Sequence, residues 1–273
     1  MTRITEQPSL YDHLETRNVK ELTHYINQED AKVAKAIEKA LPQINALIAQ
    51  IVEKLSAGGR LFYVGAGSGG RLSVLDMIEL PTTFGIDKGV VNVVLAGGVD
   101  RLVDALEEME DDVNEAWLKL TEAGVSPSDI VVGISASGST PFVLEGLKKC
   151  RTHQIRTGCI VSNPDSSIAA QSDFPVEVIT GPEFITGSTR MKCGTAQKMI
   201  FDMISTTTMT LMGRIEGNNM VNVKLINDKI TDRGVKMLMA KTGMDTYEEA
   251  KSLLLEYGTV KAAMGSLLAR GLK

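Results

Sequence analysis

Five short apolar runs, RLFYVG, VVNVVLAGG, DIVVGIS, RTGCIVS and FPVEVIT, follow one another between residues 60 and 180. Rich in Val and Ile and bounded by Gly, Pro and polar residues, they read as buried strands over 60–65, 91–98, 129–135, 156–162 and 174–180. Between the first four, stretches over 71–78, 100–120 and 141–150 carry helical patterning. A strand that returns parallel to its neighbour needs a crossover of helix length, and crossovers of one hand lay helices on both faces of a sheet. The expected fold is α/β, a doubly wound five-stranded parallel sheet. Sheets of this kind take ligands beyond the carboxyl ends of their strands.

The flanks add helices. After a polar N-terminal arm over 1–30, Val33, Ile37, Leu41, Ile44, Leu47, Ile48, Ile51 and Leu55 recur at helical spacing up to Ala57-Gly58-Gly59. That helix is expected to pack on the sheet. Past the fifth strand come GPEFITGSTRMKCGT, a Met-rich helix to about Leu211 and a helical segment from Asn222. Residues 1–220 should thus form the sheet domain with its helical arm, and 221–273 a small C-terminal helical region.

Composition removes several function classes. A net charge of −5, no long Lys/Arg run and only 4% aromatic residues argue against a nucleic-acid partner, and residues 1–50 offer no basic helix-turn-helix. No window approaches the roughly eighteen uninterrupted apolar residues of a membrane span. The first residues, MTRITEQPSLYDHLETRNVK, lack the apolar core of a signal peptide, so a cytoplasmic location is expected. Cys150, Cys159 and Cys193 have no metal-ligand spacing, and His13, His24 and His153 lie in no Gly-rich or acidic cluster. Neither a metal site nor a Ser-His-Asp triad is expected. Cys193 stands near a helix start, where a lowered thiol pKa and a plain packing role compete.

Two glycine loops interrupt this pattern. GAGSGG, 65–70, fits the G-x-G-x-x-G pattern between a strand and a helix, but the acid that would hold a dinucleotide ribose is missing where the second strand ends in Ala96-Gly97-Gly98. Asp100 lies two residues beyond. SASGSTP, 135–141, supplies hydroxyls from Ser135, Ser137, Ser139 and Thr140, an amide-exposing Gly138, and Pro141 suited to a first helical turn. A helix N-terminus carries about half a positive charge, so amides and hydroxyls there can hold a phosphomonoester without lysine or metal. Ordinary turns and Ser/Thr caps are the alternative for either loop alone. Two such loops in one sheet favour phosphate.

Two carboxylates fall where apolar residues are expected. If 100–120 is one helix, Leu102, Val103, Leu106, Met109, Val113 and Trp117 share an arc of roughly 120° that also takes in Glu110. Glu79 falls between Leu72 and Leu75 on the preceding helix, which Pro81 should end. An acid on an apolar arc needs a partner, a raised pKa or a function. Beside phosphate loops, the pair fits general acid/base chemistry.

The motifs GPEFITGSTRMKCGTAQKM, GISASGSTP and GGRLFYVGAG resemble those of the N-acetylmuramic acid 6-phosphate etherases, sugar isomerase (SIS) domain proteins related to glucokinase regulatory protein. The likeness runs from about Glu29 to Asn227. It implies cofactor-free cleavage of a lactyl ether by elimination through the open-chain aldehyde and addition of water, in a homodimer acting on an amino sugar phosphate. On the family's motif register the two catalytic glutamates fall on Glu79 and Glu110; Glu79 is assigned as the acid that protonates the leaving oxygen and Glu110 as the base at C2, with the reverse assignment left open. Ser68, Ser135, Ser137 and Thr140 are the implied phosphate ligands. Ser139, Ser188, Arg190 and Lys192 complete the substrate-binding set, the two cations serving the lactyl carboxylate or the rim of a neighbouring subunit's site, or else standing as surface cations that cap nearby carbonyls. The sequence departs from the family pattern at Ser68-Gly69 (usually Thr-Ser), at Ser139 (usually Arg) and around Ile78-Glu79-Leu80-Pro81-Thr82 (usually Ser-Glu-Cys-Pro-Pro-Thr). A sugar-phosphate sensor without turnover and an aldose-ketose isomerase are the rival readings.

Overall fold

The computed structural model describes residues 3–103 and 107–269, with the side chains of Arg101 and Glu107 left aside. The chain groups into two compact units, Met1–Met77 with Gly89–Ile204, and Ile78–Lys88 with Ser205–Lys273.

The first unit is the sheet. Strands β1 (Leu61–Gly65), β2 (Val91–Leu95), β3 (Ile130–Ser135), β4 (Arg156–Val161) and β5 (Phe174–Glu177) lie in the order β2-β1-β3-β4-β5, and every pairing is parallel. All five expected strands are present. Helix α1 (Val19–Asp30) opens with a capping box, the Asn18 side chain accepting from the Glu21 amide while Glu21 accepts from that of Asn18. Helix α2 (Val33–Ser56) buries Val33, Ile37, Ile44, Leu47, Ile48, Ile51 and Leu55. Leu41 is a correction: it is exposed, and Ala40 takes its place on the buried face. Fully buried side chains such as Leu47 and Ile51 contribute about 1.5–3 kcal/mol each. Because successive strand residues face opposite ways, Phe62 and Val64 join one core with residues of α4 (Glu115–Glu122) and α5 (Pro141–Thr152), whereas Tyr63 packs its ring 5.1 Å from Phe201 of α6 (Lys192–Leu211).

Two expectations about helices are overturned. The 100–120 stretch is not one helix: it holds 3-10 turns at Val99–Arg101 and Glu107–Asp111 and then α4. Asp112 explains the break, because its Oδ1 accepts from the amides of Asn114 (2.7 Å) and Glu115 (2.9 Å), a local side-chain cap that restarts the helix. Of the expected arc, Val103 is 94% and Val113 47% exposed, and Leu106 lies outside the described residues. Helix α3 (Gly67–Phe84) likewise runs through Pro81 instead of ending before it. The proline falls in the last turn, and the Thr82 carbonyl, too near the helix end to find a helical partner, accepts from the Lys224 amide at 3.0 Å.

The second unit gathers α7 (Asp228–Thr242), α8 (Tyr247–Tyr257) and α9 (Val260–Ala269) around Val221, Val235, Leu238, Leu254 and Val260. Asn227 caps α7, accepting from the Ile230 amide at 2.9 Å. Among the described residues no helix is long and apolar enough to cross a membrane.

Candidate active site

The neighbouring strands β1 and β3, parallel and inside the sheet, deliver both glycine loops to its carboxyl end. At the first, the chain enters α3 almost at once, and Gly65 and Gly70 face each other so closely that a Cβ on Gly65 would lie 2.9 Å from the Gly70 Cα. Gly67, the first residue of α3, has φ +53°. A side chain there would be strained, and its Cβ would lie 2.6 Å from Oε1 of Glu110. The glycine thus leaves room for a carboxylate to rest on the helix start.

At the second loop the hydroxyls form a chain. Ser135 Oγ is 2.9 Å from Thr140 Oγ1 and 3.3 Å from Ser137 Oγ, and Ser137 Oγ is 3.2 Å from Ser139 Oγ. Ser135 Oγ also accepts from the Gly138 amide at 3.1 Å. Pro141 occupies the first turn of α5, and the hydroxyl of its N-cap, Thr140, makes no capping bond. Hydroxyls and a helix N-terminus therefore converge on one point without a cation.

Between the loops lies a cleft of ≈ 170 Å³. The first loop contributes Gly67, Ser68 and Gly69, the second Ser135, Ser137 and Thr140, and Glu110 reaches in from the Glu107–Asp111 turn. Of the residues expected from sequence, Ser68, Ser135, Ser137, Thr140 and Glu110 are brought together here. Ser139 instead lines an adjoining hollow of ≈ 800 Å³ with Arg3 and Asn163. Ser188 and Arg190 are not among the cleft-lining residues. Ser188 sits in a turn, its carbonyl accepting from the Met191 amide at 3.2 Å, and Arg190 is exposed.

Lys192 corrects the sequence reading most sharply. It is 1% exposed, and its Nζ lies 2.6 Å from Oε2 of Glu29, both side chains 2% exposed. Glu29 also takes a bond from the Tyr11 hydroxyl at 2.9 Å and pairs with Lys32. Burial pushes the Glu29 carboxyl up, but bonds from Lys192, Lys32 and Tyr11 outweigh it and hold the pKa below its ordinary value. Lys192 is held in a buried ion pair and is not among the cleft-lining residues. Beside it, Glu183 is fully buried and caps α6, its two oxygens accepting from the amides of Lys192 (2.9 Å) and Cys193 (2.8 Å). The Cys193 thiol is pushed up to about 12 by burial and by Glu183, so its role is packing.

Glu79 is exposed on α3, among residues of the second unit, and is not among those lining the cleft. The arc assigned to it is open to solvent, with Leu75 42% and Ile78 54% exposed. Three polar side chains of the cleft were missed: Glu6, Thr189 and Gln197. Thr189 and Gln197 lie inside the quoted motif, but nothing there separates side chains that line the cleft from those that build it. Glu6 has no sequence signal beyond its place in a polar arm.

Sheet, glycine loops and hydroxyl-lined cleft define the class: an α/β domain of the sugar isomerase (SIS) kind. The SIS domain model matches residues 115–207, and that of the glucokinase regulatory protein N-terminal SIS domain matches 43–151. Among solved structures, a phosphoheptose isomerase from Francisella tularensis has a TM-score of 0.53 and 14% identity, over 73% of this chain and 100% of its own. A phosphoheptose isomerase from Neisseria gonorrhoeae has 0.52 and 15%, over 70% and 98%. Both show the fold. N-acetylmuramic acid 6-phosphate etherases from Porphyromonas gingivalis W83 and Bacteroides thetaiotaomicron are each 51% identical, over 97% and 96% of this chain and 96% and 94% of theirs. That from Symbiobacterium thermophilum is 41% identical over 98% of this chain and 90% of its own. The chain belongs to the N-acetylmuramic acid 6-phosphate etherase family.

Proposed function

We propose that this protein, a carbon-oxygen lyase by family, cleaves the lactyl ether of N-acetylmuramic acid 6-phosphate with water, giving N-acetylglucosamine 6-phosphate and D-lactate in cell-wall amino sugar recycling. The observation that carries this reading beyond family likeness is the Glu110 carboxylate resting over Gly67 in the same cleft as the hydroxyls of Ser68, Ser135, Ser137 and Thr140. A phosphate held by those hydroxyls leaves the sugar carbon chain beside a base.

In the open-chain form the aldehyde at C1 acidifies the proton on C2. Glu110 takes that proton, the electron pair forms the C2–C3 double bond, and the C3–O bond breaks. The departing lactate oxygen takes a proton from a general acid; Glu79, the residue given that role, belongs to the second unit and is not among the cleft-lining residues. Water then adds at C3 and a proton returns to C2, so atoms and charge balance. The substrate's own carbonyl stabilises the carbanion, so the steps draw on no cofactor.

Each proton transfer is worth about 10²- to 10⁴-fold in rate. Incubation with N-acetylmuramic acid 6-phosphate should release D-lactate, and Glu110→Gln and Glu79→Gln should each lose activity on that scale. Binding without lactate would make the protein a sensor, and an isomer of unchanged mass would make it an isomerase.

A homodimer and a cytoplasmic setting belong to the same proposal. The exposed Leu75 and Ile185 of the first unit are large apolar side chains that a second copy would cover, and all three cysteines are free thiols. Sedimentation at monomer mass would remove the dimer.

A further inference from the structure

The N-terminal arm is tied down at two places. Thr5 is 1% exposed. Its amide donates to Asn163 Oδ1 at 3.3 Å, and Asn163 Nδ2 donates back to Thr5 Oγ1 at 3.0 Å. The same Nδ2 donates to the carbonyl oxygens of Ala136 (3.1 Å) and Ser137 (3.2 Å), inside the second loop. Farther along, the Ser9 amide donates to Thr186 Oγ1 at 2.9 Å and the Ser9 hydroxyl to the Phe184 carbonyl at 2.7 Å. Tyr11 follows, its ring 5.2 Å from that of Phe184. Residues 3–11 are therefore a strap from the hydroxyl loop to the 184–189 segment, which supplies Gly187 and Thr189 to the cleft.

Glu6 sits between the two anchorages, on the Ile4–Glu6 turn, and lines the cleft. Its Oε2 lies 3.7 Å from where Gly187 would carry a Cβ. Electrostatics alone would keep a second acid away from a cleft that already holds Glu110 and receives a phosphate dianion. A carboxylate there has a use if the ligand offers donors, because an ionised carboxylate only accepts hydrogen bonds. Inorganic phosphate has little to give it, whereas an amino sugar phosphate brings several hydroxyls and an amide N–H.

We propose that the strap is part of the binding site and that Glu6 accepts hydrogen bonds from the hydroxyl or amide donors of the sugar, positioning its carbon chain while the loops hold the phosphate. The proposal rests on the sugar-phosphate reading above. Glu6 is a positioning residue and transfers no proton.

The test is calorimetric binding of N-acetylglucosamine 6-phosphate and, separately, of inorganic phosphate to the full chain and to Glu6→Ala and Glu6→Gln. Hydrogen bonds to a charged group imply a loss of about tenfold or more in affinity for the sugar phosphate in Glu6→Ala, with Glu6→Gln intermediate. Inorganic phosphate should bind either variant as tightly as the wild type or more so, since a negative charge has gone. In the lactate assay KM should rise more than kcat falls. Glu6 is exposed, and unchanged melting of both variants is expected. If Glu6 is a bystander, its removal tightens both ligands alike, which overturns the proposal and leaves the enzyme reading standing. A wild type that prefers neither ligand overturns both.

Discussion

In the 135–140 loop, Ser135, Ser137 and Thr140 line the cleft, and the hydroxyls bond chiefly to one another, Ser135 to Thr140 and to Ser137, and Ser137 to Ser139 of the adjoining hollow. In the 181–198 stretch, Glu183 and Lys192 turn inward and are closed off, one capping α6 and the other paired with Glu29. The first arrangement can exchange its partners for the oxygens of a ligand at little cost. The second cannot give up a partner without stranding a charge or an amide away from water. Its purpose is to fix the start of α6, the helix that carries Gln197 to the cleft. The more distinctive stretch of sequence thus uses Glu183 and Lys192 to hold the site, and the plainer loop gives its hydroxyls to the cleft lining.

Lys192→Met breaks this comparison hardest. Removing one partner of a buried pair typically costs about 3–5 kcal/mol because the other charge remains buried, and the loss here falls at the low end because Lys32 and Tyr11 stay bonded to Glu29. Urea unfolding should show a loss on that scale, while turnover per folded molecule is retained. The reverse result, intact stability with a raised KM, would make Lys192 a substrate ligand after all.

Gly67→Ala comes next and acts on the cleft. The new Cβ would collide with the Glu110 carboxylate, which is the free end of a flexible side chain and swings aside. The left-handed φ adds roughly 1–2 kcal/mol of strain. Displacement of a base by about 1 Å can cost ~100-fold in rate. Lactate release should fall by about that factor with a smaller change in melting temperature than Lys192→Met gives, and a rate within error of wild type would detach Glu110 from the chemistry.

These two residues also mark what the sequence discloses. The strands, their parallel pairing and the placement of both loops at strand ends follow from short-range periodicity and from the need for helical crossovers, so β1 to β5 stand where they were expected, whereas their order β2-β1-β3-β4-β5 comes from the structure. Glu110 was found for a partly mistaken reason: the helical arc does not exist, since Asp112 captures the amides that would have continued it. Side-chain bonding of that kind competes with a periodic pattern and leaves no trace in it. The fate of Lys192 was illegible because Glu29, its partner, lies 163 residues away and looks like any acid at the end of a polar helix. Glu6 was missed for the same reason, since only Thr5, Ser9 and their distant partners show that the arm is fastened.

Ser137→Ala sharpens the open side of the comparison. It removes a hydroxyl bonded to Ser135 and Ser139 and an acceptor for the Ser139 amide at 3.3 Å. A hydrogen bond to a charged group is worth about 1.5–3 kcal/mol, against about 0.5–1.5 for a neutral one. Affinity for both the sugar phosphate and inorganic phosphate should therefore fall by about tenfold, with melting almost unmoved. An equal loss of stability and affinity would place Ser137 with the closed, structural set.

The last test is of pH dependence, and it belongs to Glu29. Its carboxyl is held below the ordinary value by Lys192, Lys32 and Tyr11 against the opposing push of burial. A carboxylate with a depressed folded-state pKa contributes stability that is fully present above its unfolded value, about 4.3, and that is lost as pH falls through the folded value. Glu29→Gln has no such contribution to lose. The stability gap between wild type and this variant should be widest near neutral pH and narrow below about pH 4.3. Asp129, lowered by its Arg60 partner despite burial, titrates in both proteins and cancels from the difference. A gap constant down to acid pH would mean that the charge on Glu29 contributes nothing that its shape does not, and the closed cluster would then differ from the hydroxyl loop in packing alone.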